Sequence, residues 1–426
     1  MNKKLLKKNQ FLFHVLTLVT GTAIAQAIPI LISPILTRIY SPEQFGTFAL
    51  FMSIAGSIAI ISTLRYEMAI MLPEKDGDSA NVVSLSFIII ILVSVLTLLG
   101  VFIIGLLSSD FFGASSTMQL WLYIMPLFVL LQGVTQSINN WFVRRKDFKN
   151  IAVGKVSFSL VTNGFLIILG ILGFTYNGIF ISNFLGWISF SIFFFIMMFK
   201  KYGTLKSQIN KLSIKKVAKK YREFPTTNVF QALIESFQMS GIIMLVSYYF
   251  STHVSGLYSF SLRVLMAPMW IIGTSISQVF YQKASETYNN GGDLRLLIRK
   301  TVFNSALFFS PILLVLLVAG PSIFAFVFGN EWREAGEFAR ILSPWIFFDF
   351  VKSPISQIPL IVGKIKNMLP ITIIGIIILL FSLIWGGYTH DIYFGFMLLS
   401  ALMCVYVLCL MIWIYKVAAI KKMQWN

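Results

Sequence analysis

The stretch ANVVSLSFIIIILVSVLTLLGVFIIGLL (80–107) decides the fold class, because it runs past bilayer length without a single charged residue. A hydrocarbon core about 30 Å thick takes roughly 20 apolar residues of helix per crossing. Reading outward from that stretch, twelve segments of this kind follow one another. They lie near 11–37, 45–70, 80–107, 119–142, 151–173, 175–199, 226–250, 255–281, 301–328, 338–362, 368–387 and 391–418. Almost nothing is left for a soluble domain. Of the 426 residues 57% are hydrophobic and only 12% charged, with a mean hydropathy of +0.82, whereas soluble chains carry about 25% charged residues. The expectation is an all-α integral membrane protein of twelve transmembrane helices.

The formal net charge of +18 could point to nucleic acid, but its placement argues against that. Lysines 3, 4, 7 and 8 precede the first span, and further basic clusters occupy 144–149, 200–222, 283–300, 364–366 and 416–422. All fall in even-numbered connections or at a terminus, while the odd-numbered connections carry only Arg38, Arg333 and Arg340. This asymmetry follows the positive-inside rule and predicts both termini in the cytoplasm. The basic-then-apolar N-terminus has no small-residue cleavage site at the usual distance, so it is expected to remain as a helix. Cys404 and Cys409 sit five apart in the last span and form no structural disulfide framework.

The spans divide six and six about one long basic connection, giving an N-terminal bundle (1–200), a basic cytoplasmic linker (201–225) and a C-terminal bundle (226–426). Within the connection Ile209, Leu212, Val217, Tyr221 and Phe224 recur near helical spacing among lysines. Two readings stay open there: a solvated linker, or an amphipathic helix on the anionic inner leaflet. A faint repeat supports two halves. An offset of 210 residues lays Tyr40-Ser41 over Phe250-Ser251, so that FGTFALF (45–51) falls on SGLYSFS (255–261). A similar phase sets SDFFG (109–113) against FAFVFG (324–329), and Met125-Pro126 against Ser343-Pro344. Transporters built from repeats show this organisation.

Polar residues gather in particular spans. Asn228, Gln231, Glu235 and Gln238 share one helical face of the seventh, and Gln132, Gln136 and Asn139, with Asn140, repeat this in the fourth. The fifth has Lys155, Ser159, Thr162 and Asn163; the first has Thr22, Gln26 and Ser33; the eighth has Arg263, Ser275 and Gln278. Spans 3, 6, 11 and 12 are uniformly apolar and should face lipid. Striped spans should face an aqueous interior, with helix-to-helix hydrogen bonding as the alternative use of an isolated Ser or Thr. Prolines 29, 34, 126, 268, 344, 354 and 359 interrupt spans 1, 4, 8 and 10 and should kink them.

Four cations, Arg65, Lys155, Arg263 and Lys352, lie within or at the edge of these apolar segments. Each costs about 2.5–3.5 kcal/mol on insertion scales, which marks a cavity built for an anion. Arg65 and Glu67, two apart on one expected helix, should point in different directions. Arg263 could pair with Glu235, and Lys352 with Asp349 three residues away. Arg supplies a fork of donors and Lys a point charge, so together they suit phosphate or pyrophosphate. Glu67, Glu235 and Asp349 are candidates for proton or sodium coupling, since a carboxylate among apolar walls titrates near neutral pH. Gln231, Gln136 and Asn139 would offer exchangeable hydrogen bonds. No phosphate-binding loop, HExxH, CxxC or nucleophile elbow is present, and no cofactor or metal is expected.

Five motifs carry a resemblance over nearly the whole chain: LTRIYSPEQFGTFALF (36–51), RYEMAIMLPEKDGD (65–78), YREFP (221–225), SQVFYQKASE (277–286) and FGNEWREAGEFARILSPW (328–345). The chain resembles the oligosaccharide flippases of bacterial polysaccharide export, often called Wzx. These belong to the MOP superfamily, with multidrug extruders and lipid II flippases. The resemblance implies two six-helix bundles around a central cationic cavity with alternating access in the bacterial inner membrane. It implies a substrate too, an undecaprenyl-diphosphate-linked oligosaccharide moved from the cytoplasmic to the periplasmic leaflet. Partners would be membrane lipids and other polysaccharide assembly proteins. A cation-coupled multidrug extruder should instead have an acidic cavity. A membrane polymerase or ligase should have a large outer loop with paired catalytic groups. Lipid II flippases usually have fourteen spans.

Overall fold

A computed structural model of the chain describes residues 3–107, 116–203, 208–268, 273–364 and 367–419, which include no strand. Its helices form two compact units, 1–244 and 245–426. The first holds α1 (Lys3–Ile39), α2 (Pro42–Ile61), the single turn α3 (Tyr66–Ala69), α4 (Asp76–Leu107), α5 (Ser116–Arg144), α6 (Phe148–Ile171), α7 (Thr175–Tyr202) and the short α8 (Lys211–Lys220). A π-helical turn (Phe224–Asn228) leads into α9 (Val229–Tyr249), inside which the division falls. The second unit holds α10 (Thr252–Pro268), α11 (Thr274–Asn289), α12 (Leu294–Phe328), α13 (Arg333–Lys352), α14 (Ile358–Ile361), α15 (Met368–Tyr388) and α16 (Ile392–Val417).

Among the described residues nine helices are long and apolar enough to cross a membrane. They coincide with expected spans 1 to 6, 9, 11 and 12. The remaining three expected spans, two of which contain undescribed residues, correspond to the following elements. α9 carries the Asn/Gln/Glu face; the eighth span is α10 and α11, on either side of undescribed residues 269–272; and α13 gives way to 3-10 turns at Ser353–Gln357 before α14. Pro354 and Pro359 open those last two elements, where a missing N–H costs least. The uniform helices turn apolar faces outward as expected: Ile91, Leu92 and Val95 on α4, Phe195 on α7, Ile377 on α15 and Val405 on α16 are all exposed.

The repeat is visible at the start of the second helix of each half. Ser41 caps α2 by accepting the Gln44 N–H at 3.4 Å, and the Gln44 side chain reciprocates to the Ser41 N–H at 3.0 Å, a capping box. Ser251, at the expected offset, accepts the Val254 N–H at 3.1 Å ahead of α10. Pro126 and Pro344 both lie inside helices, α5 and α13. The SDFFG segment (109–113) lies outside the described residues.

Proline within a membrane helix frees the carbonyl four residues earlier, and no water is at hand to take it up. Three Ser-Pro pairs solve this locally. Ser33 Oγ donates to the Ile30 carbonyl freed by Pro34 at 2.6 Å, Ser310 to Leu307 at 3.1 Å before Pro311, and Ser343 to Arg340 at 2.9 Å before Pro344. Helix pairs then close through small residues. A Cβ on Gly336 of α13 would lie 2.6 Å from Pro321 Cα of α12, and one on Gly386 of α15 would lie 2.7 Å from Gly395 Cα of α16. Aromatic side chains fill the rest: Phe51, Trp121, Phe128 and Phe180 in the first unit, and Phe260 with Phe324, Phe328 and Trp332 in the second.

Ser343 is buried, so Ser343→Ala should lower stability by about 1 kcal/mol through the orphaned Arg340 carbonyl. Ser310→Ala, at a more exposed site, should do less. Thermal unfolding of the two detergent-solubilised variants checks the order, and equal loss at both positions would contradict it.

Candidate functional site

α2 stops where the Ser62 hydroxyl donates to the Ala59 carbonyl at 2.7 Å. The chain then turns through two non-glycine residues in the left-handed region, Leu64 (φ 47°) and Arg65 (φ 63°), before α3 begins. Such residues cost of order 1–3 kcal/mol each and persist only where their surroundings fix them. Here the turn corrects an expectation. Arg65 and Glu67 do not diverge along a continuous helix; the break brings them together, Arg65 Nη1 lying 3.5 Å from Glu67 Oε1. Thr63 Oγ1 donates a short hydrogen bond to Oε2 and accepts the Arg65 N–H at 3.2 Å. Gln136 Nε2, from α5, donates to Oε1 at 3.0 Å.

Glu67 is fully buried at 0% exposure. It lies outside the apolar spans, which end at Ile61 and resume at Asp76. Burial pushes its carboxyl above the ordinary range, while Thr63, Arg65 and Gln136 pull it back down by a smaller amount. Two buried donors, Arg65 Nε and Gln132 Nε2 one turn before Gln136, have no acceptor among the described residues. Unpartnered buried N–H groups beside a cation are chemically suited to an anionic, oxygen-rich ligand.

The segment after α3 is pinned by a residue that the sequence marks only as part of a basic cluster. Arg144, at the end of α5, donates to the carbonyls of Ile70 (3.3 Å), Met71 (3.2 Å) and Glu74 (3.3 Å) and pairs with Asp76 at 3.2 Å. Arg145 also pairs with Asp76. Tyr66, between Arg65 and Glu67, donates to the Ala218 carbonyl of α8 at 3.0 Å. The motif RYEMAIMLPEKDGD is therefore one tightly tied junction. Thr63 and Arg144 belong to it, though neither carries a motif of its own.

Ile61, at the end of α2, also lines an apolar groove of about 760 Å³ between α2, α4 and α5. Ile54, Ile58, Leu96 and Val101 make its walls, with Thr97 and Tyr123 among its few polar groups. Arg65 follows Ile61 by four residues in the same unit.

Lys155 on α6 donates to Thr22 Oγ1 of α1 at 3.2 Å and has no acidic partner among the described residues. Two others of its stripe are used in packing, Ser159 donating to the Ala25 carbonyl at 2.8 Å and Asn163 to the Ser159 carbonyl at 2.7 Å, while the buried Thr162 Oγ1 has no partner among the described residues. Asn139 is half-buried on α5, and Gln231 is exposed on α9. In the second unit Lys352 and Asp349 form the expected ion pair, their side chains 19% and 22% exposed. Arg263 on α10 is exposed and has no ion-pair partner among the described residues. The side chains of Glu235, Gln238, Ser275 and Gln278 lie outside the described residues, and with them the expected Arg263–Glu235 pair.

The family model described as "Polysaccharide biosynthesis protein" matches residues 35–337. The chain belongs to that polysaccharide biosynthesis family. No curated protein matches it by sequence. Its fold is similar to an inward-facing multidrug resistance MATE family transporter of the MOP superfamily (TM-score 0.72, 15% identity, 96% of each chain covered). It is also similar to the lipid II flippase MurJ in an inward closed conformation (0.70, 15%, 95% of this chain and 87% of that one). A MOP superfamily transporter from Pyrococcus furiosus Vc1 gives 0.54 at 13% identity, with 95% of each chain covered. The fold is the one these multi-pass membrane proteins share, and nine helices among the described residues are long and apolar enough to cross a membrane.

Two of the family motifs quoted above are joints of this fold. Tyr40 in LTRIYSPEQFGTFALF donates to the Leu166 carbonyl at 2.7 Å, and Trp332 in FGNEWREAGEFARILSPW is fully buried against Phe260.

A raised Glu67 pKa sets a sign. The folded protein holds a proton that the unfolded chain has already lost, so stability falls as pH rises from the ordinary carboxylate range (about 4.3) up to the folded value. Glu67→Gln removes that slope. The difference in unfolding temperature, Gln variant minus wild type, should grow with pH between mildly acidic and neutral; a constant or shrinking difference would refute the shift.

Proposed function

We propose that this family member flips an undecaprenyl-diphosphate-linked oligosaccharide from the cytoplasmic to the periplasmic leaflet of a bacterial cytoplasmic membrane by alternating access. One observation carries the reading: an imbalance of committed charge. The two expected coupling carboxylates whose side chains are described are both engaged, Glu67 by Thr63, Arg65 and Gln136, and Asp349 by Lys352. Lys155 and Arg263 have no carboxylate among the described residues. Among the described residues, what remains for a ligand is positive. An extruder of organic cations would need the opposite balance.

The physical task fits the parts. A diphosphate with sugars cannot cross hydrocarbon, so it needs cations and exchangeable donors along its path. The polyprenyl tail can stay in lipid or in an apolar groove such as that beside Ile61. Arg65, Lys155 and Arg263 would meet the diphosphate, and Gln132, Gln136, Asn139 and Gln231 the sugar hydroxyls. Lys352 would act only when released from Asp349. Glu67 is the best-supported site for proton or sodium coupling, because a buried carboxyl with a loosely held arginine can exchange its charge partner. Both termini would face the cytoplasm on the positive-inside rule.

Export of surface polysaccharide in a bacterial strain lacking its own exporter tests this reading. Arg263→Ala and Lys155→Ala should each cut export about tenfold or more, the loss of a charge-assisted bond worth roughly 1.5–3 kcal/mol. Arg263→Lys should keep part of it. Undiminished export by both alanine variants, at wild-type membrane abundance, would remove the cations from the mechanism. In proteoliposomes, Glu67→Gln should abolish any stimulation by an imposed proton or sodium gradient while leaving gradient-free exchange measurable. Stimulation equal to that of wild type would exclude Glu67 as the coupling site.

A further inference from the structure

α8 has the sequence KLSIKKVAKK (211–220), and its two faces differ sharply. Val217 and Tyr221 are buried in a core cluster with Tyr66, Val82, Trp141 and Phe194. Three hydrogen bonds hold the segment to the first unit. Tyr66 Oη donates to the Ala218 carbonyl at 3.0 Å, Asn81 Nδ2 to the Gln208 carbonyl at 3.1 Å, and the Asn210 N–H to Asn81 Oδ1 at 3.1 Å. Asn210 also caps the helix by accepting the Ser213 N–H at 2.8 Å. These bonds tie the helix to the rest of the first unit.

The other face is cationic and exposed. Lys211, Lys215, Lys216, Lys219 and Lys220 all point outward, and Arg222 follows. None of them forms an ion pair among the described residues. At 100° per residue, Leu212 falls near the middle of this lysine arc, opposite Val217 and Tyr221. It is 82% exposed. A leucine ringed by lysines is poorly matched to water and poorly matched to a purely polar partner. It matches a surface that is anionic at its edge and apolar just beneath. Asn81, which holds the helix, lies in the opening turns of the span Asp76–Leu107, at the level where such a surface begins.

We propose that α8 is a docking surface for the anionic phospholipid headgroups of the adjoining leaflet, with Leu212 inserted among them and the lysines spread around it. The inference rests on membrane location alone and not on the oligosaccharide reading. Its failure would leave that reading untouched.

The test uses the full chain in lipid nanodiscs, with Cys404 and Cys409 replaced by Ala and an environment-sensitive fluorophore on Leu212→Cys. Nanodiscs of phosphatidylcholine alone are compared with ones containing about 30% phosphatidylglycerol, a load of anionic lipid that attracts basic segments. Quenching by brominated lipid should rise roughly threefold with the anionic lipid, and should fall back at about 0.5 M salt, where the Debye length shrinks to a few ångströms. The same loss should follow when Lys215, Lys216, Lys219 and Lys220 are all changed to Gln. Native mass spectrometry of the unsubstituted protein gives a check free of folding artefacts: it should retain phosphatidylglycerol in preference to phosphatidylcholine. Equal quenching in both lipid mixtures, or a label quenched by aqueous iodide alike in all of them, overturns the proposal. The latter would mark a face for an acidic soluble partner.

Discussion

Within hydrocarbon a polar group has no water to turn to, so each one must find a partner inside the protein or mark a place where something polar enters. Both outcomes occur here, and the difference between them separates scaffold from site. The Ser-Pro pairs show the first: each proline frees a carbonyl, and the preceding hydroxyl takes it up within the same turn. Such helices can carry proline without exposing backbone to lipid. Tyr40 shows it between helices, its hydroxyl spent on the Leu166 carbonyl of α6.

Polar stripes that look alike in sequence divide on the same ground. Ser159 and Asn163 are consumed in packing α6, and of that stripe only the Thr162 hydroxyl is unmet among the described residues. The stripe on α5 is different. Gln136 reaches across to Glu67 while Gln132 keeps a buried donor unmet. The distinction cannot come from periodicity, because both stripes have the same spacing. It comes from which helix lies opposite: α6 meets the small residues of α1, whereas α5 meets the broken end of α2.

That broken end concentrates several demands in a few residues. Two left-handed residues hold Thr63, Arg65 and Glu67 together, Arg144 pins the chain that follows, and Tyr66 ties the turn to α8. Strain of this kind persists only where neighbours over-determine it, and it clusters where function needs a fixed but reversible arrangement. A carboxylate satisfied by one loose ion pair and two hydrogen bonds is such an arrangement.

The sequence by itself determined the class, the nine spans found among the described residues, the duplicated start at Ser41 and Ser251, and the Lys352–Asp349 pair. Length, hydropathy and three-residue helical spacing are local quantities, so these were legible without a fold. Hydropathy predicted one helix through residue 70, yet the chain turns at Ser62. The apolar run continues across the break, and φ values leave no mark in composition. Thr63 and Arg144 escaped for a related reason, as their partners are set by a turn and by a neighbouring helix. Only the tertiary structure decided that Arg65 meets Glu67 and that Ser159 serves packing while Gln132 keeps an unmet donor. A hydrogen bond between helices depends on which faces meet, and no single helix encodes that.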